Sequence, residues 1–315
     1  MLNKNLFAIT IFISSFLLFL VQPIIAKQIL PWFGGTSAVW TTCLTFFQVA
    51  LLLGYMYSDW IQRFSPKKQG IFHCIVICVS LIFLPIIANP DWKPINSEEP
   101  IIHILGLLFF TIGLPYFVLS TTGPLLQSWF ARENKFSEES KKTYRLFALS
   151  NLASIIGLLM YPFAIETWIT LSAQAITWSI FYFLFAVFAI LTAIRVVRSN
   201  ALSQSSSTLI PEAIEEKLDR VVIGRQDKFL WIFLPFIATS LLLAISNHIT
   251  QNIASIPFLW VFPLTLYLLT FVVVFEGRGG RGWYERPLVL IVVLVFTAMM
   301  AWGLIAENGV LSVKY

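Results

Sequence analysis

An all-α polytopic transmembrane helix bundle of about nine spans is the fold class this sequence predicts, and three observations predict it. The chain of 315 residues is 58% hydrophobic and 12% charged, about half the charged share of an average soluble domain. Nine apolar runs are long enough to serve as helices, since about 30 Å of hydrocarbon takes roughly twenty helical residues and a helix pairs its own backbone N–H and C=O groups where water is absent. Period-two alternation is missing, which disfavours a β-barrel.

The runs follow one another with distinct punctuation. Residues 6–26 form the first span; the run is long for a signal segment, and Ile24-Ile25-Ala26 lacks the small residue a cleavage site carries three positions back, so a retained helix is expected. Span two, 37–57, carries Thr41, Thr42, Thr45 and Gln48, and span three, 71–88, carries Cys74 and Cys78 one helical turn apart. A Pro-rich, mildly acidic connection from Asn89 to Pro100 leads to span four, 101–122, with His103 and Pro115. Span five, 145–165, holds Ser150, Asn151, Ser154 and Pro162 and ends beside Glu166; span six is 171–194.

The Ser-rich, charged stretch 195–228, with a short helix expected around Pro211 to Leu218, divides a six-helix half, 1–194, from a partial half of three helices, 229–315. Those three are 229–247, with Pro235 inside and Asn247 and His248 at its end, 257–275, with Pro257 and Pro263, and 287–306. Proline inside a span removes an N–H and kinks the helix, which serves gating but also occurs in static membrane helices.

Basic residues are segregated. Eighteen of the 21 Lys and Arg fall on one side of this arrangement, and only Lys27, Lys93 and Lys314 on the other. The positive-inside rule makes the richer side, and the N-terminus with it, cytoplasmic. The net charge of +5 therefore reports orientation, and no nucleic-acid motif accompanies it.

No Asp, Glu, Lys or Arg lies near the middle of a span, which argues against a proton relay or a pore for charged substrates in this stretch. Cys74 and Cys78 have no His or carboxylate at ligand spacing and read as packing residues, and Gly277-Arg-Gly-Gly-Arg-Gly282 lacks the Gly-Lys-Ser/Thr and strand context of a phosphate loop. No catalytic residue, metal or cofactor is assigned. The candidates for a cavity or gate are Gln22, Lys27, Gln48, Asp59, Asn151, Glu166, Asn247 and His248. For the amides two readings stand: glue between helices, worth about 0.6–2 kcal/mol each, or a cavity lining. For Lys27 and Glu166 the alternatives are an ion pair at the outer mouth of a central cavity, if spans one and five are neighbours, or separate snorkelling to water.

The run from Gly54 through Asp59 and Arg63 to Lys67-Lys68 resembles the loop after the second helix of major-facilitator proteins, in which the Asp helps lock one conformation; here the Gly-to-Asp spacing is one residue long and Trp60 follows. Ser15–Gln22 and Ser240–Asn247 echo each other, as repeated six-helix halves would, or as two apolar helices do by chance. Three longer stretches carry a fuller resemblance: Gly34–Tyr55, Gly123–Ala131 with Tyr144–Ser154, and Asn247–Leu268. Together they resemble the membrane region of fused major-facilitator/spermidine-synthase-like proteins of bacteria.

That resemblance implies a bacterial inner-membrane module with part of a second half, three helices short, as in a truncated or shortened member. In the family it precedes a cytoplasmic domain similar to aminopropyltransferases, which use decarboxylated S-adenosylmethionine and a polyamine; no glycine-rich nucleotide loop or amine-binding acids are assigned here, so no catalytic role carries over. The expected function is transporter-like, for a small solute or a polyamine, and the alternative is a non-transporting anchor or scaffold for a synthase domain. Membrane lipid, a small solute and, in a longer form, a cytoplasmic synthase domain are the expected partners. Polycations favour acidic residues in a cavity, which the spans lack.

Overall fold

The computed structural model describes residues 2–93, 100–133, 143–206, 224–252, 261–276 and 285–311. Among the described residues all regular structure is helical: α1 (Leu2–Phe33), α2 (Ser37–Ile61), α3 (Pro66–Ser80), α4 (Pro100–Leu108), α5 (Leu114–Glu133), α6 (Thr143–Met160), α7 (Glu166–Trp168), α8 (Leu171–Ser206), α9 (Arg225–Asn252), α10 (Val261–Phe275) and α11 (Arg286–Leu311). Seven segments are long and apolar enough to cross a membrane, and two shorter apolar ones, Val261–Phe275 and Arg286–Met299, lie where spans eight and nine are expected. The molecule is an all-α, multi-pass membrane bundle. The short helix expected around Pro211 to Leu218 and the glycine-rich turn Gly277–Gly282 lie outside the described residues.

Helix ends follow local chemistry more closely than hydropathy does. α1 runs through Pro23 and Pro31 and stops at Gly34, whose φ of +78° is the left-handed conformation that closes helices and suits a residue without Cβ. Its N–H returns to the Leu30 carbonyl at 2.9 Å. Lys27, expected beyond the span, therefore sits within α1. α2 begins where the Thr36 hydroxyl accepts the Val39 N–H.

Span three differs most from expectation. Pro66 opens α3 in the first turn, where its missing N–H costs nothing. The helix gives way to a single tight 3-10 turn, Leu81–Phe83, and Leu84 turns extended (φ −92°, ψ 146°), the conformation favoured before Pro85. Ile86 and Ala88 in the non-helical stretch after it are buried, and their backbone groups need partners. Gln28 of α1 supplies two of them: its Nε2 donates to the Ile86 carbonyl at 3.1 Å and its Oε1 accepts the Ala88 N–H at 2.9 Å. The Ile86 N–H donates to Ser179 Oγ at 3.3 Å. Two further prolines coincide with wide π turns: Phe109–Gly113, just before Pro115, joins α4 to α5 in one long helix, and Tyr161–Ile165, containing Pro162, joins α6 to α7.

α1 occupies the centre, packed by α5, α6 and α8, while α2 packs on α4 and α5, α3 on α8, and α6 on α10. Small residues and hydroxyls let these backbones approach. A Cβ added at Gly157 of α6 would lie 2.6 Å from the Phe16 carbonyl oxygen of α1. Thr10 and Thr192 share a hydrogen bond at 3.2 Å, Ser80 and Tyr182 one at 2.6 Å, and the Trp178 indole donates to the Leu17 carbonyl at 3.0 Å. At the basic end the Trp129 indole donates to Gln69 Oε1, whose amide nitrogen in turn caps the Phe64 carbonyl, so the α2–α3 turn is held against α5.

α9 and α11 are different. Phe229 through Leu234, and Leu290 through Phe296, present nearly every side chain outward, the disposition of helices that face lipid on most sides.

Candidate functional site

Six helices, α1, α2, α5, α6, α9 and α10, enclose a cavity of about 390 Å³, within the roughly 300–1,000 Å³ range of small-molecule sites. Each wall is one face of a helix, because residues three, four and seven apart stack on the same side. α1 contributes Ser15, Leu18, Phe19 and Gln22; α2 contributes Gln48, Leu51 and Tyr55; α6 contributes Phe147, Ser150, Asn151 and Ser154. α5 adds Tyr116 and Ser120, and α9 and α10 close the ring with Thr239, Ser246, Tyr267 and Phe271 among others.

The polar groups of the lining divide into those already engaged and those still available. Gln22 is buried and its amide nitrogen donates to the Tyr116 hydroxyl at 3.2 Å, with Tyr116 in turn stacked obliquely on Phe47 at 4.9 Å. Ser15 and Ser150 share a hydrogen bond of 2.7 Å, and the Ser154 hydroxyl donates to the Ser150 carbonyl. Asn151 Nδ2 donates to the Phe147 carbonyl one turn back at 2.9 Å, which leaves its Oδ1 as an acceptor. Gln48 is half-buried, and no group among the described residues takes its amide. Asp, Glu, Lys, Arg and His are absent from the lining formed by the described residues.

The other expected site residues fall elsewhere. Lys27 Nζ and Glu166 Oε1 form an ion pair of 2.7 Å between α1 and the start of α7, beyond the lining and at the end of the bundle opposite the basic loops. Their side chains are 39% and 35% accessible, so screening limits the pair to under about 1 kcal/mol. Asp59 is exposed near the end of α2, its carbonyl accepting the Gln62 N–H. His248 is exposed on α9. Asn247 belongs to α9, but its side chain lies outside the described residues. Of the span threonines, Thr42 and Thr45 bond back to their own helix and none of the three lines the cavity.

Three tyrosines of the lining, Tyr55, Tyr116 and Tyr267, were not singled out from the sequence. Tyr55 had a usable signal: it stands seven residues after Gln48 on the same helical face. Tyr116 and Tyr267 had none, since only the packing of α5 and α10 turns them inward.

At the basic end α6 and α10 are tied by rings and charge. Tyr144 stacks parallel on Phe275 at 5.9 Å, Phe147 meets Phe275 edge-on at 4.8 Å, and Arg145 reaches Glu276 at 3.5 Å on the exposed surface. Toward the other end Leu158 and Val261 are buried against Leu44 and Leu264. Cys43 is buried, Cys74 half-buried and Cys78 exposed, all as free thiols. Comparisons with family profiles, with curated proteins and with solved structures returned no match.

Proposed function

We propose that this chain is a transporter-like membrane module whose cavity receives a small solute, of the kind expected from its resemblance to the membrane portion of major-facilitator/spermidine-synthase-like fusions. The observation that carries the reading is the convergence of three amides, Gln22, Gln48 and Asn151, from α1, α2 and α6 on one cavity. Amides that served only to glue helices would find partners across the helix boundary. Gln22 does so through Tyr116 of α5, whereas Gln48 has no such partner among the described residues and the Asn151 amide bonds its own helix. With no ionisable group but tyrosine in the described lining, passage down a gradient fits the site better than coupling to a proton. On this reading the basic end faces the cytoplasm of a bacterial inner membrane, and a polyamine is a poor match for a lining without acids.

The test is solute flux in proteoliposomes carrying the full chain. A broad set of small radiolabelled solutes, putrescine and spermidine included, should contain at least one whose uptake exceeds that of empty vesicles and falls about tenfold in Gln48→Leu, because the substituted site loses the hydrogen bond that replaced water. Uptake equal to empty vesicles for every solute would overturn the proposal.

A second reading is favoured by the same uncharged lining: an anchor that holds a synthase-like domain at the membrane and moves nothing. It expects Gln22→Leu, Gln48→Leu and Asn151→Leu each to leave cellular function intact, as judged by complementation of a deletion strain.

A further inference from the structure

The walls of the cavity carry more chemistry than its amides. Seven of the 26 lining residues are aromatic, against 16% in the chain as a whole. Five of them form two groups on different pairs of helices. In one, Phe47 and Tyr116 of α2 and α5 lie 4.9 Å apart and tilted by 50°. In the other, Phe271 of α10 meets both Tyr267 and Phe147 edge-on, with centroids 5.1 and 5.7 Å apart. The same lining carries the Gln48 amide and Asn151 Oδ1.

Aromatic walls admit two kinds of guest: a cation held against ring faces, or a flat ring stacked between them. The first is disfavoured here. A cation entering this lining finds no carboxylate to replace its hydration, and burying an unpaired charge is expensive. An anion fares no better, because the lining offers it no cation.

We infer that the cavity is a site for a flat, uncharged aromatic solute bearing an amide or hydroxyl group, its ring held between the Phe47–Tyr116 and Phe147–Tyr267–Phe271 walls and its polar group bonded to Gln48 and Asn151. The inference rests on this cavity being the solute site, and it names the solute's class.

Three probes sharing one ring test it: benzamide, benzoate and benzyltrimethylammonium, with spermidine as a fourth, titrated calorimetrically against the full chain in lipid nanodiscs. Benzamide should bind at least about tenfold more tightly than each charged probe, since only the charged ones lose hydration without compensation. Phe271→Leu should weaken benzamide about tenfold by removing a wall. Gln48→Leu, which alters an accessible amide and leaves the walls packed, should weaken benzamide several-fold while sparing toluene, which has no polar group to lose. Tighter binding of any charged probe, no benzamide binding by natively melting protein, or equal losses of benzamide and toluene in Gln48→Leu would overturn the inference. Failure of the transporter reading is separable. Benzamide binding with no flux of any solute sinks transport and keeps the site, whereas spermidine flux without benzamide binding keeps transport and sinks the aromatic solute.

Discussion

α1 and α9 have closely similar hydropathy and opposite surroundings. Two-thirds of the apolar window of α1 is buried inside protein, against 6% of that of α9. α1 carries Thr10, Ser14, Ser15, Gln22 and Gln28 along its length, all buried and all hydrogen-bonded, three of them to groups of other helices. The outward stretch of α9 from Phe229 to Phe236 has no polar side chain at all. Total apolarity places a helix in the membrane, but it is the polar minority that places it against protein, since lipid offers those groups nothing.

Substitutions sharpen this contrast, and the largest effect is expected at the tightest helix contact. Gly157→Leu drives a side chain into the Phe16 carbonyl and should lower stability by about 3 kcal/mol, read as loss of the folded species in detergent thermal melts. Gln28→Leu leaves the Ile86 carbonyl and the Ala88 N–H without their partner, at a cost of about 2 kcal/mol in denaturant titration. A double-mutant cycle on Lys27→Ala and Glu166→Ala should return a coupling under about 1 kcal/mol that shrinks further in high salt. At the bottom of the scale, Trp231→Leu on α9 and Val293→Leu on α11 meet little protein and should shift stability by less than about 0.5 kcal/mol. A loss at Trp231 equal to that at Gln28 would erase the contrast and show that α9 is packed in the functional particle.

The sequence revealed the helices more completely than it revealed their ends or their neighbours. Hydropathy found each membrane helix because the need for internal backbone pairing acts on every residue of a span. It misjudged the end of span three because Pro85 acts on the single residue before it, and because the compensating partner, Gln28, is 58 positions away. It ended span one at residue 26 because the apolar run meets Lys27, yet the helix continues and closes only where Gly34 supplies a positive φ. Gln22, Gln48 and Asn151 were visible as polar residues in apolar runs, and their helical faces were readable from spacing. Their meeting at one cavity was not, because which faces turn toward each other is decided by the packing of six separate helices. The Lys27–Glu166 contact was legible only as a conditional, since it depends on α1 and α6 being neighbours.

The central position of α1 has a consequence for how the protein is made. α1 leaves the ribosome well ahead of α5, α6 and α8, the helices that supply partners for Gln22, Ser15 and Thr10. During that interval its hydroxyls and amides have only themselves, the insertion machinery or passing neighbours for company. The earliest of these segments to be synthesised is thus among the last to be fully enclosed, and chains arrested before Thr192 should be held by the insertion apparatus or cleared by membrane proteases.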